Sequence, residues 1–458
     1  MTGAPGWDGT GRTVRDEHAR AIKLTRLLGS GGQGEVWAAG DRLAVKLVTA
    51  RTPRAAERLR RRLRVVRRLD LDGIAVSRPI AMLAEPAVGY TMELLDDMVA
   101  LRSLAAAPAR QDLGEWYAAT GGLRRRLRLL ARAADALGTL HARGIVYGDP
   151  SPANILVSAS VENAQMMLID VDNLVVESVV PDASLVTPGY AAPELVTARM
   201  GVSSLSDAYS LAVMVFETLA LVHPFLGDVV EEGEPELLDQ AFAGELPWID
   251  DPDDDSNRSS YGVNRQAVLT TGLRVLAERT FGAGRLDPVQ RPTVAEWRTK
   301  LHAAADLTVS CPQCPHTYLV GAPACPWCGA KAPDPLIALV HLATPGETAL
   351  ASAGEGLAVP RGRWLCVTAR TARLAAGSDR PVAWLLWEPG ARLVTRNADA
   401  EPLWLTPAGG GTPVVVEPGR ELAVPAYADV PAWDLHFGHE SQLHRVLRFR
   451  IVKGRQRQ

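Results

Sequence analysis

Residues 144–157 read Gly144-Ile-Val-Tyr-Gly-Asp-Pro-Ser-Pro-Ala-Asn-Ile-Leu-Val, and no other stretch restricts the fold as tightly. A Gly/Pro/Ser loop holds Asp149 and Asn154 five positions apart and runs straight into the apolar triplet Ile155, Leu156 and Val157, a short buried strand. A second apolar run, 166–169, then delivers Asp170 and Asp172. These are all hard oxygen donors, of the kind that Mg²⁺ and its phosphates require. Asp and Asn are also ordinary turn formers, so the rest of the chain decides between a turn and a site.

Upstream, Leu27-Leu-Gly-Ser-Gly-Gly-Gln-Gly-Glu-Val-Trp-Ala sets Gly29, Gly31 and Gly34 between two apolar stretches. Glycines at this spacing let backbone amides close on a phosphate with no side chain in the way. A strand follows them rather than a helix, and the next strand, Leu43-Ala-Val-Lys-Leu-Val, carries Lys46 between apolar neighbours. Of 49 basic residues only five are lysines, so this one stands out. An ammonium inside a buried strand needs an anionic partner. The following stretch, 51–69, reads as a helix with nine arginines and a single acid, Glu57, which is the expected partner of Lys46. Strands are expected at 74–84 and 88–95, the second ending at Met92-Glu-Leu-Leu, where Glu93 and Leu95 begin a connection.

An amphipathic helix over 123–143 leads into the organising loop and stops at Gly144. Beyond Asp170 come the turn-rich Thr187-Pro-Gly-Tyr-Ala-Ala-Pro-Glu, an apolar helix opened by Asp207 and ended by His223-Pro-Phe, and an acidic run over 250–255 that reads as a solvated loop. Further helices are expected at 266–281 and 293–305, with Arg291 between them.

From residue 307 the character changes. Cys311, Cys314, Cys325 and Cys328 form two CxxC pairs ten residues apart, the spacing that folds two tight turns around one tetrahedral metal. Four thiolates leave no open coordination position, so a structural Zn²⁺ is expected. After 335 short alternating runs rich in Val, Leu and Trp, punctuated by Gly and Pro, predict an all-β sandwich or barrel. The domain reading is a loose tail at 1–19, two lobes at 20–97 and 98–306, a zinc ribbon at 307–334 and the β domain at 335–458. A net charge of −3 gives no reason to expect nucleic acid or an anionic membrane as partner. No apolar run is long enough for a bilayer, which reads as a cytoplasmic protein.

Taken in order, residues 22–305 resemble the eukaryotic-like protein kinases, an α+β bilobal fold. In that resemblance Gly29, Gly31, Gly34 and Val36 match the phosphate-covering loop, Lys46 the lysine on the α/β-phosphates, Glu57 its helix partner, and Glu93 and Leu95 the nucleotide-contacting connection. Asp149 matches the catalytic aspartate, Asn154 and Asp170 the Mg²⁺ (or Mn²⁺) ligands, Ala192-Pro-Glu194 the end of the activation segment, and Arg291 the partner of Glu194. The resemblance implies ATP-dependent transfer to Ser/Thr hydroxyls of a protein substrate. Alternatives are a nucleotide-binding scaffold without transfer, or a small-molecule kinase of the aminoglycoside or choline type, whose Gly-Asp and Asp-x-Asp patterns are similar.

Three departures stand out. Tyr147-Gly148-Asp149 replaces His-Arg-Asp, so no loop arginine is available to pair with an activation-segment phosphate; Asp170-Val-Asp172 replaces Asp-Phe-Gly; and Lys46 and Glu57 are close together for the family. Asp172 either binds a second metal or caps the following turn. Among bacterial groups the chain is most similar to kinases associated with tellurium-resistance gene clusters, which implies partners with a von Willebrand A domain and a metal-dependent phosphatase. In the β region, Arg396-Asn-Ala-Asp-Ala-Glu-Pro-Leu-Trp-Leu with Val416-Glu-Pro-Gly-Arg-Glu-Leu resembles the second half of a forkhead-associated sandwich, without a clear counterpart of that family's phosphate-binding Arg and Ser.

Overall fold

The computed structural model describes residues 12–31, 34–50, 52–108, 111–176, 186–374, 379–408, 410–426 and 432–451. Contacts divide the chain into two units, one of residues 1–111, 128–263 and 271–299, the other of 112–127, 264–270 and 300–458. The segments 112–127 and 264–270 thus cluster with the ribbon and β region, although sequence position placed them in the second lobe.

The first unit opens with a five-stranded antiparallel sheet ordered Arg26–Gly31, Gly34–Ala38, Leu43–Val48, Gly89–Glu93, Ala81–Met82. In its register Lys46 lies opposite Val36 on one side and Tyr90 on the other. Two glycines permit this approach. A Cβ on Gly34 would stand 2.0 Å from Leu47 O, and one on Gly89 1.9 Å from Lys46 O. Gly29 and Gly31 by contrast face open space, and the tip of the loop, residues 32 and 33, lies outside the described residues.

The expectation of a loose tail over 1–19 does not hold for its described part. Thr13–Arg15 pairs antiparallel with Ala21–Lys23, and Val14, Ile22 and Leu24 join a core with Trp37, Val45 and Leu47. One buried valine between two exposed residues is too short an alternation to stand out in sequence. The arginine-rich helix runs Pro53–Val66, started by Thr52, whose hydroxyl accepts from Ala55 N at 3.1 Å, and by Pro53 in its first turn. It buries Leu63 and Val66.

In the helical half, Ser204–Ala220 is buried along most of its length and is started by a capping box of Ser203 and Ser206. Its Tyr209 and Phe216 pack on Phe225, Trp248 and Phe281. Ile155–Ser158 sits between Met166–Leu168 and Met98–Ala100 in a three-stranded antiparallel sheet, and Ile145–Val146 pairs with Val175–Val176. Both residues that flank the organising loop are therefore pinned by strands.

In the second unit Thr308–Ser310 pairs with Thr317–Leu319. Arg124 donates to Thr308 Oγ1 at 2.7 Å and to Thr308 O at 2.8 Å, while His316 stacks on Trp327 at 4.2 Å and Tyr117 on Trp327 at 5.0 Å. The remaining strands form a six-stranded sheet, in the order Ala351–Val359, Leu336–Ala343, His444–Ile451, Trp433–His436, Leu403–Pro407, Val414–Val416, and a four-stranded one, Trp364–Thr368, Pro381–Trp387, Arg392–Asn397, Glu421–Pro425. Leu336, Val340, Leu405 and Leu447 from the first share one core with Val367, Leu385 and Leu393 from the second, the arrangement of a sandwich. The first six residues of Ala351–Val359, Ala351 to Gly356, are small or polar and carry no hydrophobic alternation, so only its end reads as a strand in sequence. Among the described residues no helix is long and apolar enough to cross a membrane.

Candidate active site

Lys46 is 5% exposed, and its ammonium donates to Asp172 Oδ2 at 2.6 Å and makes a close hydrogen bond to Asp170 Oδ1. Both acids reach one cation because of the backbone between them. Asp170 takes the left-handed conformation (φ 59°, ψ 55°), which an Asp tolerates better than most residues, and a single 3₁₀ turn, Val171–Asn173, swings Asp172 back beside it. Burial works against the charge on Lys46, but Asp172 and then Asp170 outweigh it and raise its pKa above the ordinary lysine value. Burial also pushes the Asp170 carboxyl above the usual range, opposed by Lys46 and, more weakly, by Arg62 of the Pro53–Val66 helix.

The Lys46–Glu57 pair expected from sequence is not formed. Glu57 is exposed, and the two carboxylates on Lys46 are those of Asp170 and Asp172. The turn-cap role considered for Asp172 is not formed either: Oδ2 is on Lys46, and Oδ1 accepts from no backbone amide.

The organising loop is held from two sides. Asp207, fully buried at the start of its helix, accepts from Tyr147 N at 2.7 Å, Gly148 N at 2.9 Å and His141 Nε2 at 2.9 Å. From the other side the Tyr147 hydroxyl donates to Ile169 O, tying the loop to the link between the Met166–Leu168 strand and Asp170. Gly148 sits at φ 88°, where a Cβ would stand 2.9 Å from Asn173 O, so glycine suits this turn on both counts.

Asp149, 7% exposed, is ringed by donors. Its Oδ1 accepts from Thr187 N at 2.7 Å, and its Oδ2 accepts from Thr187 Oγ1 and Asn154 Nδ2, each at 3.0 Å. Burial raises its pKa; the two Thr187 hydrogen bonds oppose that shift and the nearby Asp170 adds to it. Thr187 was legible in sequence only as part of a turn-rich segment. Both hydrogen bonds of Asn154 leave from Nδ2, toward Asp149 O and Oδ2, so its amide oxygen is the atom left for a cation. Glu93 ends the Gly89–Glu93 strand, exposed, and Leu95 lies half-buried just beyond; Val36 is half-buried across from Lys46.

Behind the loop, Arg291 holds Glu194 with two hydrogen bonds of 2.7 Å, both residues being buried, and its guanidinium lies 4.9 Å from the Tyr209 ring. The pairing of these two residues was expected from sequence. His223 accepts from Phe225 N through Nδ1 and donates from Nε2 to Gly189 O at 2.9 Å; burial drops its pKa to about 4.

In the second unit the Sγ atoms of Cys311, Cys314, Cys325 and Cys328 all lie within 4.8 Å of one another, with Cys311–Cys328 at 3.5 Å and Cys314–Cys325 at 3.7 Å. Tetrahedral ligation with Zn–S bonds of about 2.3 Å puts sulfurs about 3.8 Å apart, so the cluster fits such an ion.

Residues 22–294, about three fifths of the chain, match the family model described as the protein kinase domain. The chain belongs to the protein kinase family. Relatives of this kinase domain include the serine/threonine-protein kinase PknA of Mycobacterium tuberculosis, 31% identical over 220 residues, which cover 45% of this chain and 48% of PknA. The DNA damage-responsive serine/threonine-protein kinase RqkA of Deinococcus radiodurans is 31% identical over 225 residues, 46% of this chain and 31% of RqkA. The serine/threonine-protein kinase pkn2 of Myxococcus xanthus is 27% identical over 243 residues, 49% of this chain and 27% of pkn2. This protein kinase therefore spans about half the length of PknA and less of the other two.

Proposed function

We propose that the chain transfers the γ-phosphoryl group of ATP to Ser/Thr hydroxyls of a protein substrate. The observation that carries this reading is the convergence of Lys46, Asp170 and Asp172 on one side of the site with Asp149, Asn154 and Thr187 on the other. Phosphoryl transfer asks for positioning and charge neutralisation more than for covalent chemistry. Lys46 holds the α/β-phosphates, and Asp149 accepts the proton of the attacking hydroxyl as the oxygen bonds to phosphorus and ADP leaves. Thr187, now on the Asp149 carboxylate, marks where a substrate hydroxyl would come. Gly29 and Gly31 leave room for backbone amides over the phosphates, and Glu93 and Leu95 flank the base. Mg²⁺ or Mn²⁺, when bound, would neutralise charge on the phosphates; the Asp170 carboxylate and the Asn154 amide oxygen are the atoms fitted to hold it. The serine/threonine specificity follows from PknA, RqkA and pkn2, each of which is a serine/threonine-protein kinase.

The Cys₄ cluster is assigned a structural Zn²⁺, since four thiolates close the shell. The reaction is placed in the cytoplasm, where ATP is supplied and thiols stay reduced. The partners implied by the resemblance to tellurium-cluster kinases, a von Willebrand A protein and a metal-dependent phosphatase, are the first candidate substrates. Incubation with radiolabelled ATP and these candidates tests the reading. Label should enter protein and be lost in Asp149→Asn and Asp170→Asn; nucleotide binding with no transfer to any protein would favour a scaffold instead.

A further inference from the structure

We propose that Asp172 does for Lys46 what a helix glutamate would do, so that the lysine is positioned from the strand and turn carrying Asp170 and not from the Pro53–Val66 helix. The inference deepens the kinase reading and rests on it for its catalytic consequence, although the pairing can be tested without it.

Helix geometry excludes Glu57. At 100° per residue, Leu63 and Val66 lie about 240° and 180° around the helix from Glu57, so the only acid of this helix sits opposite its buried face. The position turned toward the site carries the wrong sign. Arg62, half-buried and within about 40° of Val66, acts on Asp170 as a cation. A helix that presents a guanidinium here cannot neutralise Lys46.

The compensation comes from elsewhere in the chain. The Asp172 side chain is 6% exposed, as is that of Lys46, and Oδ2 to Nζ is 2.6 Å. The division of labour follows from what each acid must do. Asp170 is wanted by the cation on the phosphates, and an acid that leaves Lys46 for a metal cannot also hold the lysine. Asp172, delivered by the same 3₁₀ turn, stays behind. Because Lys46 then pairs with a turn that follows Asp170 directly, an outward displacement of the Pro53–Val66 helix would leave the ion pair intact.

The experiment reads Lys46 directly in the full-length protein, without nucleotide or magnesium. An amine-reactive reagent is applied, and peptide mass spectrometry follows modification of Lys46 against the exposed Lys23 and Lys300 as internal references. The expected result is slow modification in the wild type and in Glu57→Gln, a rise of roughly tenfold in Asp172→Asn, and recovery of protection in Asp172→Glu. Equal protection in wild type and Asp172→Asn overturns the proposal, as does a rise in Glu57→Gln. That second arm decides the matter even where Asp172→Asn melts too low to be compared. In transfer assays Glu57→Gln should stay within about twofold of wild type, while Asp172→Asn falls about 10²-fold in kcat with a smaller change in KM. A wild type that transfers no phosphate would sink the kinase reading and leave the labelling result standing.

Discussion

The cleft around Lys46 and Asp149 and the two CxxC turns each gather several ligating groups into a few ångströms, but they compensate them differently. The cleft brings Asp149, Asp170 and Asp172 together and supplies its own cation, Lys46, on two of them. The CxxC turns bring four thiols within 4.8 Å of one another, and their hydrogen bonds among the described residues run to one another and to a backbone amide. A site with an internal counter-charge can fold first and bind metal later, whereas one without it needs the ion to be built. In the proposed kinase reading the cleft would exchange its metal with each nucleotide, whereas a Zn²⁺ on the four cysteines would stay bound.

Zinc removal tests that contrast most strongly. Elemental analysis should give about one zinc per chain, and a tight chelator or Cys311→Ser/Cys314→Ser should unfold the ribbon, with a loss on the order of 10 kcal/mol for that module. Hydrogen exchange over 308–330 is the measurement. Removing magnesium should abolish transfer and leave the same exchange pattern unchanged.

Asp149→Asn should lower kcat by about 10³-fold with little change in thermal stability, as loss of a positioned proton acceptor does. A smaller drop, within tenfold, would move the proton acceptor elsewhere. Glu194→Ala strands the buried Arg291 guanidinium, and a loss of about 3–5 kcal/mol is expected in chemical denaturation. This is the cost of leaving one partner of a buried ion pair without its counter-charge.

The smallest effect is a pH dependence. His223 has a folded pKa near 4 against an ordinary 6.5, so the folded state takes up its proton later than the unfolded chain. Its contribution is present in full above pH 6.5 and is lost as pH falls through 4, by about 3 kcal/mol at most. His223→Gln should flatten the acid limb of the melting curve between those values. An unchanged limb would place the acid sensitivity in the carboxylates of the cleft.

Much of the fold could be read from particular residues. Gly29, Gly31, Gly34 and Lys46, with Asp149, Asn154, Asp170, Glu194 and Arg291, carried the kinase order because their chemistry is tied to fixed positions along the chain. What could not be read were pairings between distant elements. Thr187 on Asp149 joins residues 38 positions apart, and Asp172 on Lys46 joins residues 126 apart. The Thr13–Arg15 strand stayed hidden for a different reason, since three residues give no period to detect.

The sequence by itself determined which groups could do chemistry here: where the hard oxygens, the isolated lysine and the four cysteines lie, and that a kinase-like order is followed by two CxxC pairs and a strand-rich region. Only the tertiary structure decided which acid serves which cation. Glu57 and Asp172 are both carboxylates near the lysine's neighbourhood in the chain or in the motif, and composition cannot rank them. Helical phase turns one to solvent, and a left-handed residue followed by one 3₁₀ turn carries the other to 2.6 Å from the ammonium.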